Sequence, residues 1–390
     1  MNKLYIVIVT CAILLIASIC TAGCEDGEGT PTPTSTPMGT EQPTATHVST
    51  ITPTATPSAN QTTPTLTPTP GGNTTEPTPT PSGNITEPTP TLTPAGNITE
   101  PTPSPSPTAT KIPDAEVTFD VGSNPQALVI SENYAWVANA DDDTVTMLHI
   151  GTGTILGTYE VPDNPVALAY DSPNMWVASS GNGTVTMLNA NTGSIIDTYS
   201  VGNEPVAVVK DDPYVWVANS GDDTVMKVKI SNGEVIGTYA VGDRPVALAV
   251  ENPYLWVANA DDNTVTILNV NTGIIQGTFQ VGTNPRALVI DGSFLWVVNA
   301  GDDSVMMLNK NSGSKTATYI VGRNPATLAV DGQYIWVVNT DDDNVTHIKS
   351  NTGEIINTYV VGDMPVDISV NGTDVWVMNS GSDNLMKLNN

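Results

Sequence analysis

No cysteine follows Cys24, although Cys11, Cys20 and Cys24 crowd the start of the chain. That excludes disulfides, a thiol nucleophile and a thiolate metal site from everything beyond it. Some other closure must supply the constraint that disulfides give many secreted domains. Cations are scarce too. Twelve Lys and Arg stand against 40 Asp and Glu, a formal net charge of −28. Residues 114–390 carry 33 acidic and 10 basic side chains, or −23. Such a field argues against nucleic acid and anionic membrane surfaces as partners and fits a soluble surface domain. Histidine is limited to His47, His149 and His347, and the last two stand at different places in the repeat described next. That leaves little for imidazole catalysis or a histidine metal site. No window carries apolar residues at helical spacing.

Tryptophan is absent except at Trp136, Trp176, Trp216, Trp256, Trp296, Trp336 and Trp376, spaced 40 residues apart each time. A fixed period of this length means an array of one supersecondary unit. One unit, Val241 to Gln280, holds four runs rich in Val, Ile, Leu, Tyr and Thr: Pro245–Val250, Tyr254–Asn259, Thr264–Val270 and Ile274–Gln280. Turn formers bound each run, so the spacing predicts four antiparallel strands, A to D, joined by hairpins. Strand A is almost wholly apolar, as in a sheet covered on both faces. One such sheet buries too little alone, so neighbours must stack, and radial stacking of four-stranded sheets makes a β-propeller. Pro125, Pro165, Pro205, Pro245, Pro285, Pro325 and Pro365 mark seven starts of strand A. The last unit ends after strand C, while residues 116–121 repeat the wording of strand D. The expected fold is therefore an all-β, seven-bladed propeller of four-stranded antiparallel blades over 114–390, closed by the N-terminal strand in the last blade.

The run TrpValAlaAsn followed by AspAspThrVal, ThrGly, ThrTyr and ValGlyXaaXaaPro resembles the YVTN-type β-propeller repeat. The resemblance spans about 117–390 in seven in-phase copies. It implies a seven-bladed propeller, often on cell surfaces, and no single activity. WD40 repeats fit less well, because Val and not Asp follows every Trp.

Residues 1–23 read as a targeting segment, with Lys3 before a nearly apolar run from Leu4 to Ile19. ThrAlaGlyCys at 21–24 resembles a lipoprotein signal with Cys24 lipidated, Thr21 departing from the usual Leu or Val. The alternative is an uncleaved membrane anchor. Either places the rest outside the cytoplasm, on the outer face of the cell membrane. Residues 24–113 read as a disordered Pro/Thr-rich stalk, with 20 of the 31 prolines at 25–113 and too little apolar content to fold. Asn60, Asn73, Asn84 and Asn97 in the stalk, and Asn182, Asn344 and Asn371 on propeller turns, begin N-glycosylation sequons.

Acidic turns between strands B and C are the strongest local signal. They include Asp141 and Asp143, Asp222 and Asp223, and Asp341 and Asp343, whereas blade two has Gly181-Asn182-Gly183. Asp163, Glu204, Asp243 and Asp363 join them from the connections between blades. A face dense in carboxylates suits Ca²⁺, which takes 6–8 oxygen ligands. Closing tight turns through backbone N–H groups is the competing reading, and the one seven equal hairpins favour. The tryptophans, locked to one position, read as packing between blades rather than as a ligand platform.

Breaks in the repeat mark candidate ligand contacts. Lys210 replaces an apolar or aromatic residue, and Asp367 stands where five blades have Ala. Arg244, Arg286 and Arg323 lie at or near successive connections and would form a basic sector by one channel mouth, to seat a carboxylate or sulfated sugar or to pair with nearby aspartates. Lys210 and Asp367 would pair across the axis. The functional expectation is a non-enzymatic, membrane-tethered module binding a protein or glycan at the cell surface. Two alternatives stand beside it: an extracytoplasmic lyase or hydrolase using Asp367, Lys210 and Arg286 in the channel, and a structural surface-layer component.

Overall fold

The computed structural model describes residues 117–388. The targeting segment, the stalk, Cys24, Asn60, Asn73, Asn84 and Asn97 lie outside the described residues. Within them the chain forms seven four-stranded sheets. In the fourth blade the strands are β14 (Pro245–Glu251), β15 (Tyr254–Asn259), β16 (Thr264–Asn269) and β17 (Ile275–Gln280). Three of the four expected runs shift by one residue at a single end. The cause at strand D is visible in the hairpin. Asn269 N–H donates back to Ile274 O at 2.9 Å, which holds Ile274 in the turn.

Hairpins run A to B to C to D with antiparallel pairing throughout. Each strand A carries a bulge after its proline, between Pro245 and Ala247 in blade four. Proline has no N–H to give the ladder, so it is tolerated where pairing is interrupted. The first blade's strand A, β2 (Pro125–Ser131), touches Pro165–Asp171 on one side and β26 (Pro365–Asn371) on the other. The same contact links every successive strand A, so the seven of them encircle the axis.

The core lies between blades rather than inside one. Trp136, Ala127 and Val129 of blade one pack on Leu168, Met175, Val177 and Leu188 of blade two. All seven tryptophans are at most 2% exposed. Each faces its strand C partner in register, as in Trp136 and Met147. Burial of a side chain this size contributes about 3–5 kcal/mol against Ala, so the tryptophans are packing, as their fixed position predicts.

The ring closes on the segment that the wording of strand D identifies. β1 (Val117–Asp120) pairs antiparallel with β28 (Asn384–Leu388), beside β27 (Asp374–Asn379) and β26. Its register runs from Val117 opposite Lys387 to Asp120 opposite Asn384. Phe119 stacks on Trp376 with centroids 5.8 Å apart. Among the described residues no helix is long and apolar enough to cross a membrane.

Candidate functional site

The B–C turns and the connections entering strand A share one face of the disc. Here the acidic residues have a definite task. Asp143 Oδ1 accepts Asn164 N–H, Asp223 Oδ1 accepts Arg244 N–H and Asp343 Oδ1 accepts Met364 N–H, at 2.8, 2.8 and 2.9 Å. Each of these bonds crosses from the turn of one blade to the entrance of the next. Asn263, Asp303 and Asp383 do the same for Asn284, Asn324 and Asn124. The donors all sit at positive φ, between 49° and 57°. That region is natural for Asn but costs most other side chains about 1–2 kcal/mol. A charge-assisted bond to the N–H offsets part of that cost.

A second set holds each turn to its own connection. Asp142, Asp222, Asp262, Asp302 and Asp342 accept the N–H of Ser123, Asn203, Asp243, Thr283 and Arg323 at 2.7–2.9 Å. Asp141 and Asp341 accept the side-chain amides of Asn124 and Asn324. The candidate metal residues Asp141, Asp143, Asp222, Asp223, Asp341 and Asp343 are thus spread over three blades and engaged in turns and seams. Among the described residues no three His, Cys, Asp or Glu side chains gather as metal ligands do. Crowding on this face is nonetheless felt: Asp262 and Asp223 push the carboxyl of Asp243 up.

The candidate ligand contacts separate in space. Lys210 and Asp367 do not pair across the axis. Lys210 Nζ binds Asp171 of the neighbouring blade and Asp212 beside it. Burial lowers its pKa, but the bonds to Asp171 and Asp212 outweigh burial and leave it raised. Asp367 is fully buried and accepts Leu128 N–H at 2.9 Å and Ile368 N–H at 2.8 Å. It joins the last blade to the first. Burial raises its pKa well above the usual carboxylate value, against the two backbone bonds.

Of the three arginines, two pair with nearby aspartates and the third stands near Arg244. Arg244 Nε binds Asp261 at 2.7 Å, and Arg323 Nε binds Asp342 at 2.6 Å. Arg286 has no ion pair among the described residues. It occupies the bulge position of its strand A, where other blades have Gln126, Val166, Val206, Val246, Ala326 and Val366. Burial, then the nearby Arg244, lower its pKa. Arg286→Val restores the commonest residue of this ring and removes an exposed cation that stands near Arg244. The expected result is a melting temperature within about 2 °C of the parent. A larger drop would show that the guanidinium helps hold the ring.

His347 lies outside this face, in strand C opposite Trp336. Its ring stacks on the indole at 3.7 Å and 9°, and both ring nitrogens are buried without a partner. Burial lowers its pKa to about 4. Sister positions hold Met147, Met187, Lys227, Ile267, Met307 and Lys387, so His347 is a packing residue.

The face is broken at blade two. Asn182 Oδ1 accepts Thr184 Oγ1 at 2.8 Å instead of a connection N–H. Gly183 has no side chain, so the N–H of Glu204 lacks the acceptor that its six counterparts have. Glu204 still holds φ at 49°. Another change in this blade removes a side-chain bond. Gly122, Gly202, Gly282 and Gly322 donate to Asn139, Asn219, Asn299 and Asn339 at 3.0–3.1 Å. Blade two has Pro162 for the donor and Ser179 for the acceptor, so the amide bond is lost on both sides and the buried Ser179 Oγ is left without a partner. A cleft of about 970 Å³ opens at this seam, lined by Asn164, Ser180, Asn182, Ser200, Asn203 and Glu204 among others. That volume lies at the upper end of small-molecule sites. Sequence reading marked Gly181–Gly183 as divergent but missed the cleft. Asn182 and Asn371 are exposed, whereas Asn344 is buried and accepts Asn339 Nδ2 at 2.7 Å.

These features define a seven-bladed β-propeller with one rebuilt seam. No family model matches the chain, so the YVTN-type resemblance rests on the repeat residues alone. No curated protein matches it either. Solved propellers do match in shape. A streptogramin B lyase structure aligns with TM-score 0.62 and 18% identity, over 70% of this chain and 97% of that one. Kuenenia stuttgartiensis hydrazine synthase gives 0.62 and 17%, over 70% and 97%. The computationally designed Ika8 protein gives 0.55 and 15%, over 68% and 96%. At such identities the likeness is one of fold.

Proposed function

We propose that this chain is a non-enzymatic binding module, held at the outer face of a cell membrane by its N-terminal region, with the cleft between blades two and three as its ligand seat. The observation that carries this reading is the rebuilt seam. Six of seven equivalent positions spend a side chain on joining neighbours, and the seventh leaves a polar cavity there instead. The groups an enzyme would draw on are committed elsewhere: Asp367 to backbone N–H groups and Lys210 to Asp171 and Asp212. The targeting segment and stalk argue for presentation outside the cytoplasm.

Whole cells treated with a protease should lose the propeller epitope. The intact protein, screened against saccharides and peptides by melting shift, should gain a ligand that mass spectrometry recovers unchanged. An epitope that survives on intact cells and is cut only after lysis would overturn surface presentation. A ligand recovered as product would overturn the non-enzymatic reading.

A further inference from the structure

The cleft carries information about what enters it. At six seams an oxygen of Asp143, Asp223, Asn263, Asp303, Asp343 or Asp383 sits 2.7–2.9 Å from a connection N–H. At the seventh that oxygen is missing, and Glu204 is among the residues that line the cleft. A bound ligand that supplies an acceptor there completes the pattern. Asn263 shows that an uncharged oxygen serves as well as a carboxylate, with the 2.7 Å bond to Asn284 N–H.

The remaining lining narrows the chemistry. Asn164 Nδ2 donates to Ser180 Oγ and Asn203 Nδ2 to Asp222, both at 2.7 Å, which leaves Asn182 and Ser200 to offer an amide and a hydroxyl, while the one charged lining residue is Glu204. Ser200 Oγ and Asn182 Nδ2 have no protein partner among the described residues. The surroundings are anionic, since the propeller's sequence carries 33 acidic and 10 basic residues over 114–390. An anionic ligand would enter against that field. A polar lining without a cation fits a polyhydroxyl ligand.

Resting on the binding reading above, we propose that the cleft between blades two and three takes an uncharged saccharide, one hydroxyl of which accepts the N–H of Glu204. The sugar's hydroxyls meet Asn182 and Ser200, and the open cleft of about 970 Å³ has room for one or two rings.

Two variants of the full chain test this. Gly183→Asp puts the missing side chain back. Asp takes the same left-handed backbone at sister positions 143, 223, 303, 343 and 383. The new Cβ comes 2.9 Å from the backbone oxygen of Gly202, so the connection itself must shift to take it. Ser200→Ala copies the residue at sister position Ala240 and removes one hydroxyl. Binding is measured by calorimetry with neutral oligosaccharides, uronic-acid and sulfated oligosaccharides, and acidic and neutral peptides. Neutral saccharides are expected to bind the parent protein. Gly183→Asp should weaken them at least tenfold while leaving the melting temperature equal or higher, and Ser200→Ala should weaken them about threefold to tenfold.

Saccharide affinity unchanged in both variants would overturn the assignment to this cleft. Should Gly183→Asp lower the melting temperature, Ser200→Ala alone decides. Preference for acidic sugars would overturn the uncharged class. Binding of a peptide alone, lost in Gly183→Asp, would overturn the saccharide and leave the binding module standing. No bound ligand of any class would overturn both.

Discussion

Deleting Val117–Asp120 from the full chain will lower the melting temperature by ten degrees or more. Those four residues pair with β28, and Phe119 stacks on Trp376. Phe119 also touches the first blade, because a Cβ at Gly153 would sit 2.2 Å from its ring. One strand thus packs on both sides of the closing seam. Loss of a large aromatic costs about 3–5 kcal/mol when fully buried, and each lost ladder bond about 1 kcal/mol. Phe119 is only partly buried, so Phe119→Ala alone should cost about 2–3 kcal/mol, or about 5–10 °C. The deletion also exposes the edge of β28, and unpaired edges associate. Thermal unfolding followed by tryptophan fluorescence, with light scattering alongside, reads both effects. A deletion variant that melts with the parent would mean the last blade does not need its fourth strand.

Acid will destabilise the protein through His347, and His347→Met will remove that weakness. The unfolded imidazole titrates near 6.5, while burial holds the folded one at about 4. As pH falls through that window the unfolded chain takes up a proton that the folded ring refuses, so stability falls with it. With both ring nitrogens buried but the side chain only half-buried, the loss is about 1–2 kcal/mol after allowance for solvent screening. His347→Met copies Met147, Met187 and Met307, and should flatten the melting profile between pH 6.5 and 4. Asp367 acts in the opposite direction. Its raised pKa means the unfolded carboxyl releases its proton first, so its contribution declines as pH climbs above the usual carboxylate value. Equal acid sensitivity in His347→Met and parent would place the titrating group elsewhere.

Much of this architecture can be read from the chain. The tryptophan spacing counts the blades, and the likeness between residues 116–121 and strand D identifies the closing strand. Strand limits follow from Pro, Asn and Gly because those residues set local dihedrals. The site was harder to read. Gly183 is visibly odd, but its effect falls on Glu204, 21 residues later, and only ring geometry makes those two neighbours. Pro162 and Ser179 look like unrelated changes until donor and acceptor are seen to face each other. Arg244, Arg286 and Arg323 look alike at successive connections. Two meet aspartates at arm's length, while the third stands on a bulge and does not. Asp367 stands out as a break among alanines, yet the backbone N–H it binds belongs to residue 128, at the other end of the propeller.

The pairing of Val117 with Lys387 brings the first and last described strands to one point on the disc, side by side. In six other blades a short outer hairpin spans that same gap. The polymer therefore has two ends where the architecture has none. A permuted gene that ties β28 to β1 with a copy of the Asn191–Ser194 loop, and opens a different outer hairpin, should yield the same disc.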